Sequence, residues 1–162
     1  MTRTGTWIAA LIFSAVLPLA AEDHDAWKKL QFLTGDWVGV AGEKDTPHGA
    51  GQGGFSFHPE LNGKILVRRN QARYSSGVSH DDLVVSYFEG VPRAIYFDTE
   101  GHTIHYSLTF PGPESVTFDS PGYRLSYWME KGILKGKFEV AGKTYLVWDS
   151  RRVTAASPPA KP

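Results

Sequence analysis

Three residues able to do chemistry cluster around one short turn: Asp98, His102 and, two positions before the aspartate, Tyr96. If Thr99-Glu100-Gly101 is a three-residue hairpin loop, Asp98 pairs with His102, Tyr96 with Ile104 and Ala94 with Tyr106. Tyr96, Asp98, His102 and Tyr106 then share one face, and Ile95, Phe97, Thr103 and His105 share the other. A one-residue slip would exchange these partners. A carboxylate beside an imidazole fixes its tautomer and raises its pKa, which suits acid or base work on a ligand. An ordinary hairpin accounts for the same pair, with Asp98 bonding the loop amides.

The other polar groups carry less. His102-x-x-His105 has a metal-like spacing, but residues three apart on a strand point to opposite faces, so no metal site is expected there. His80-Asp81-Asp82 precedes the apolar run that begins at Leu83. It is either an oxygen-rich ligand cluster or the usual polar start of a strand. Arg68, Arg69 and Arg73 lie in one long extended segment, where alternation turns Arg68 away from the other two. An arginine beside Leu66 inside a container would meet a carboxylate ligand bidentately; an internal ion pair or a solvent-facing charge fits equally well. Trp37, Trp128 and Trp148 read as packing, and Phe55 and Phe57 as core. Nucleophilic catalysis has no support: the chain has no Cys, no Gly-x-Ser-x-Gly elbow, and no Ser that can be placed beside a His–Asp pair. The Gly49–Gly54 run lacks the Lys-Ser/Thr of a phosphate loop.

The elements that must position these groups follow from periodicity. Asp25 to Leu33 suits one short helix, capped by Asp23 or Asp25, with Trp27, Leu30 and Phe32 or Leu33 on its apolar face and Gly35 ending it. From Asp36 the period becomes two. Strands are expected at Asp36–Val40, Gly53–His58, Lys64–Tyr74, Leu83–Phe88, Arg93–Asp98, Thr103–Phe110, Ser115–Asp119, Tyr123–Trp128, Ile133–Val140 and Lys143–Val153. Turn chemistry separates them, as at Asn62-Gly63, Pro121-Gly122, Lys131-Gly132 and Ala141-Gly142. About ten such strands would expose edges unless they close. The fold expected is therefore all-β: an antiparallel up-and-down barrel plugged by one short N-terminal helix. Gly42–Gly54 reads as a mobile loop, and residues 154–162 as a disordered tail.

The chain has 162 residues, 41% of them hydrophobic and 13% aromatic, enough for one domain with a real core. Residues 1–21 resemble a secretory signal, with Arg3 leading, an apolar run from Trp7 to Leu19, and small residues at Ala20-Ala21 for cleavage. A retained N-terminal anchor is the alternative. The barrel is then expected over 22–153, in the periplasm or outside the cell. Removing the signal leaves 16 basic against 17 acidic residues. Such a balance offers no electrostatic case for nucleic acid or a membrane surface. Without Cys there are no disulfides, so packing alone must hold the exported chain together.

Phe32-Leu33-x-Gly35-x-Trp37-x-Gly39 resembles the opening motif of lipocalin-like bacterial barrels, the calycin-type group that includes the heme-binding nitrobindins. Gly53-Gly54-Phe55-Ser56-Phe57, Leu61-Asn62-Gly63-Lys64-Ile65-Leu66-Val67-Arg68, His80-Asp81-Asp82-Leu83 and Arg93-Ala94-Ile95-Tyr96-Phe97-Asp98 are similar to a branch with no settled activity. The resemblance implies a barrel of lipocalin or fatty-acid-binding-protein type with an internal cavity. Nitrobindins carry their heme-ligating His near the C-terminal end, whereas the last His here is His105. Heme would need His105, His80 or His58 instead. The function expected is binding of a small apolar or amphipathic molecule, with Trp37, Arg68, Tyr96, His105 and Tyr106 touching it. No cofactor is expected unless heme binds through His105 or His80. The alternatives are a heme protein of nitric oxide or peroxynitrite chemistry, and an isomerase or hydrolase using His102, Asp98 and Tyr96.

Overall fold

The computed structural model describes residues 27–39 and 51–154. Ten antiparallel strands close into a barrel, each pairing with its sequence neighbour. They are β1 (Gly35–Gly39), β2 (Gly51–Glu60), β3 (Ile65–Tyr74), β4 (Ser79–Phe88), β5 (Pro92–Asp98), β6 (Thr103–Gly112), β7 (Ser115–Ser120), β8 (Tyr123–Glu130), β9 (Ile133–Val140) and β10 (Lys143–Arg152). β1 completes the circle on β10, with Trp37 opposite Arg152. Every one of these strands thus has two partners, so the sheet has no open edge. A helical turn over residues 27–33 precedes the barrel and tightens to a 3-10 turn at Gln31–Leu33. The architecture is the expected up-and-down barrel and is compatible with a calycin-like fold. Among the described residues no helix is long and apolar enough to cross a membrane. The expected signal segment lies outside the described residues, as does all of the expected tail except Thr154.

Two boundaries correct the expectation from sequence. The Gly-rich stretch expected as loop is strand from Gly51 onward, because β3 is long enough to pair Ala72 with Gly53 and Tyr74 with Gly51. The rest of that expected loop, residues 42–50, lies outside the described residues. His80-Asp81-Asp82 does not precede a strand. It lies within β4, paired to Ala72, Gln71 and Asn70 of β3. Polar residues hid the strand because its inner face here is not apolar.

The hairpins show why the turn residues are where they are. At Lys131-Gly132 and Ala141-Gly142 both central residues have positive φ, the type I′ geometry whose twist matches paired strands. Ala141, at φ 49°, adopts this conformation without the side-chain hydrogen bonding that helps Asn do so. Ala141→Asn is therefore expected to stabilise the protein by about 0.5–1 kcal/mol, read as a higher denaturation midpoint at unchanged slope.

The helical turn closes the end of the barrel from which β1 starts. Leu30 and Leu33 are fully buried there. Trp27 packs edge-on against Phe88, with ring centroids 4.7 Å apart. The Trp37 indole donates to the Leu33 carbonyl at 2.7 Å. Arg152 donates to the carbonyls of Thr34 and Phe32 and lies 4.2 Å over the Trp37 ring. These bonds satisfy carbonyls that the end of a helical turn leaves unpaired. Gly35, at φ 125°, has no Cβ to press on the Arg152 guanidinium. Above this plug, Phe55, Phe57, Phe118 and Tyr127 form an edge-to-face stack across the barrel. Trp148 joins it against Tyr127, over Gly136, where any Cβ would overlap the indole. This half of the interior is packed apolar core.

Candidate functional site

The opposite, distal end is different in kind. The alternation that buries Leu66 and Ala94 nearer the plug, and Val84 beside Arg68, carries Arg68 and Asn70 of β3, His80 and Asp82 of β4, and Tyr96 and Asp98 of β5 to the same inner face. Register places Asn70 opposite Asp82, and Asp82 opposite Asp98. Three neighbouring strands therefore project polar side chains into one part of the barrel.

These groups form one continuous chain of hydrogen bonds and ion-pair contacts. Deepest is the Arg68–Asp82 ion pair, both side chains under a tenth exposed. Arg68 also lies 5.2 Å over the Phe55 ring. Asn70 donates to Asp82 at 2.8 Å. His80 lies 3.6 Å from the same carboxylate and 3.0 Å from the Tyr96 hydroxyl. Tyr96 donates to Asp98 at 3.0 Å. Because that hydroxyl spends its proton on a carboxylate, His80 Nε2 must donate to it. Asp98 then accepts from the amides of Glu100 and His102 and, at 2.9 Å, from His102 Nδ1. His102 is left with Nε2 as its working nitrogen and reaches solvent, its side chain 60% exposed. The chain thus runs from the buried guanidinium to the rim.

Its electrostatics follow from burial set against partners. Burial works to raise the Asp82 pKa, but the Arg68 charge and the His80 and Asn70 hydrogen bonds hold it below 3.8. Burial likewise opposes Asp98, whose pKa the His102 amide, the His102 ring and Tyr96 hold low. His80 is raised above 6.5, chiefly by its bond to Asp82 and against burial. Burial, reinforced by the Asp82 and Asp98 charges, raises the Tyr96 phenol, so it stays protonated as a donor. Tyr127, beside Arg68, is pushed up to about 12 by burial.

The signs fix a pH profile. A carboxylate with a depressed folded pKa contributes stability that is present above its unfolded value and lost as pH falls through the folded one. For Asp82 and Asp98 the loss falls below pH 3.8. His80, raised, contributes fully below 6.5 and loses that contribution as pH rises through its folded value. The melting temperature is expected to fall steeply below pH 3.8, and more gently on the alkaline side of 6.5. His80→Gln should remove the alkaline decline and leave the acid one.

Of the residues expected to meet a ligand, the structure brings Arg68, Tyr96 and Tyr106 to the inner face. The hairpin register is as expected, with Tyr96 opposite Ile104 and Ala94 opposite Tyr106. Trp37 is inside and buried, its indole bonded to Leu33 and its ring stacked on Phe55, over which Arg68 lies. His105 pairs with Ile95 on the outer face and is exposed, because odd positions of β6 point outward. His58 is also outside, 2.9 Å from Asp36. Asn70 was not singled out from sequence, and Asp82 only as part of the His80-Asp81-Asp82 run. The signal that finds them is register, since only pairing shows that Arg68 and Asp82 approach. Asp98, Glu100 and His102 hold donor atoms within 4.8 Å of one another, although Asp98 already accepts four hydrogen bonds. A concavity of about 820 Å³ runs over β1–β4, lined by outward residues such as Arg69, Arg73 and Asp81 and also by Asn70 and Asp82 of the polar chain.

No family model matches the chain, and no curated protein matches it in sequence.

Proposed function

We infer that the protein is an exported binding barrel that takes a small amphipathic molecule through its distal end. The observation that carries this reading is the division of the interior. One half is a packed aromatic core, and the other presents a hydrogen-bonded polar chain that reaches solvent at His102 and Glu100. A domain that served only as scaffold would gain by filling that half with apolar side chains, since replacing buried ionic groups this way is often neutral or stabilising. Polar groups held on rigid strands are what fixes a ligand's orientation in a largely apolar site. Export draws its support from the N-terminal pattern, with periplasmic or extracellular residence to follow.

Native mass spectrometry with an absorption spectrum, on protein purified from its own compartment, tests the reading. A displaceable lipid or metabolite mass that also raises the melting temperature is the expected result. Protein that carries nothing and takes up no apolar dye would overturn it.

A second reading, acid–base catalysis, is favoured by one contact. Asp98 holds His102 Nδ1 at 2.9 Å and so presents Nε2 outward, as a general base requires. It predicts that His102→Ala abolishes turnover while the melting temperature stays near that of the parent. Heme has less in its favour. His105 points away from the interior, and both ring nitrogens of His80 face partners, Tyr96 at 3.0 Å and Glu100 at 3.6 Å. A Soret band lost in His80→Ala would restore it.

A further inference from the structure

We propose that the polar end of the bound molecule is a cationic amine rather than a carboxylate. This rests on the binding reading above and names the charge of its ligand. An arginine inside a barrel suggests an anionic ligand at first sight. Here, however, the Arg68 charge is already matched by Asp82, and both side chains lie under a tenth exposed. An incoming carboxylate would have to compete with Asp82 for the same guanidinium.

Beyond that pair stand carboxylates whose cationic neighbours among the described residues are imidazoles alone. Asp98 stands directly across from Asp82 on the neighbouring strand, an alignment of like charges that is unfavourable unless a cation offsets it. The Asp98 side chain is 4% exposed, yet its partners are two amides, a phenol and a histidine ring, with no Arg or Lys among them. Buried carboxylates are ordinarily paired with a full positive charge. Glu100 adds a third carboxylate, its oxygens 3.6 Å from His80 Nδ1 and 3.8 Å from His102 Nδ1. Among the described residues, the only potential cations facing Asp98 and Glu100 are imidazoles: His102 Nδ1 lies 2.9 Å from Asp98, and His80 Nδ1 lies 3.6 Å from Glu100 while its Nε2 is engaged with Asp82 and Tyr96.

The remainder of the rim suits an organic cation. Tyr123 stacks on Phe138 at 6.2 Å, and Phe138 meets Tyr145 edge-on at 6.1 Å, on the β8–β10 wall at the same end of the barrel. Aromatic faces attract ammonium groups and accept their alkyl substituents. A bare metal ion fits less well, because it would displace the hydrogen bonds by which Asp98 shapes the β5–β6 turn. An ammonium instead donates to carboxylate lone pairs, which the exposed Glu100 offers.

The test compares decylamine, decanol and decanoate, one chain length with three head groups, as displacers of the neutral dye N-phenyl-1-naphthylamine at pH 7 and below micelle concentrations. Decylamine is expected to displace the dye about tenfold more tightly than decanoate, and charge reversal by Glu100→Lys to erase that preference, as an ion-pair change near a protein surface would. Glu100 is exposed, so the variant should fold. Asp98→Asn is the second variant, expected to weaken decylamine and leave decanol unchanged. Preference for decanoate, or equal displacement by decanol and decylamine, would overturn the charge assignment and leave the binding reading standing. A decylamine preference that survives both variants would overturn the placement. Failure of the dye itself to bind would overturn the underlying reading instead.

Discussion

Replacing Asp82 by alanine is expected to destabilise the protein by about 3–5 kcal/mol, the usual consequence of leaving a buried charge without its partner. Arg68 has no alternative counter-ion among the described residues: its side chain is 8% exposed, and its Nε makes no hydrogen bond among them. Its other neighbours are the Phe55 face and the Tyr127 hydroxyl, and burial keeps that phenol protonated at neutral pH. The loss should therefore exceed what the Asp82 contacts to Asn70 and His80 would cost separately. Urea denaturation of the single variant and of Arg68→Leu with Asp82→Leu separates the cases. The double variant is expected to recover most of the loss, since two apolar groups of similar size bury without penalty. A single variant within about 1 kcal/mol of the parent would mean the guanidinium reaches water.

The second large effect belongs to the plugged end. Trp37→Ala should cost about 3–5 kcal/mol, the range for deleting a large buried aromatic. Trp37 is 2% exposed, its indole hydrogen bond to Leu33 holds the helical turn, and its ring supports Arg152. Trp37→Phe keeps most of the volume but removes the indole donor, so it should cost nearer 1–2 kcal/mol. Hydrogen exchange provides the sharper readout. Both variants should loosen amides around Gln31–Leu33 and the β1–β10 ladder before those of β6–β8, because Trp37 and Arg152 tie the helical turn to the first and last strands alone. Uniform loosening would mean that the plug and barrel open together.

Much of the barrel was legible in the sequence because its determinants are local. Alternation from Asp36 onward, Gly-bearing turns and the shift from a helical to a two-residue period are each readable within ten residues. The β5–β6 hairpin was readable to the register, since a three-residue loop leaves one pairing. The reading failed where a strand's inner face is polar. His80 and Asp82 interrupt the apolar alternation, so periodicity alone starts β4 at Leu83, and the run of glycines before Phe55 reads as loop. Both segments are strands because β3 is long enough to pair with them on either side.

The site itself was half legible. Tyr96, Asp98 and His102 lie within seven residues, and their common face follows from one turn. Arg68 and Asp82 are 14 residues apart on different strands, and nothing local says that they meet. Nor does sequence alone show that Arg68 is already neutralised, which turns a carboxylate-binding arginine into half of an internal pair. The chain by itself determined the strands, the turns and the helical plug, because these follow from steric preferences and periodicity along a few residues. Only the tertiary structure decided the electrostatic character of the interior, because the charge a ligand meets is a sum over side chains that closure of the barrel brings together.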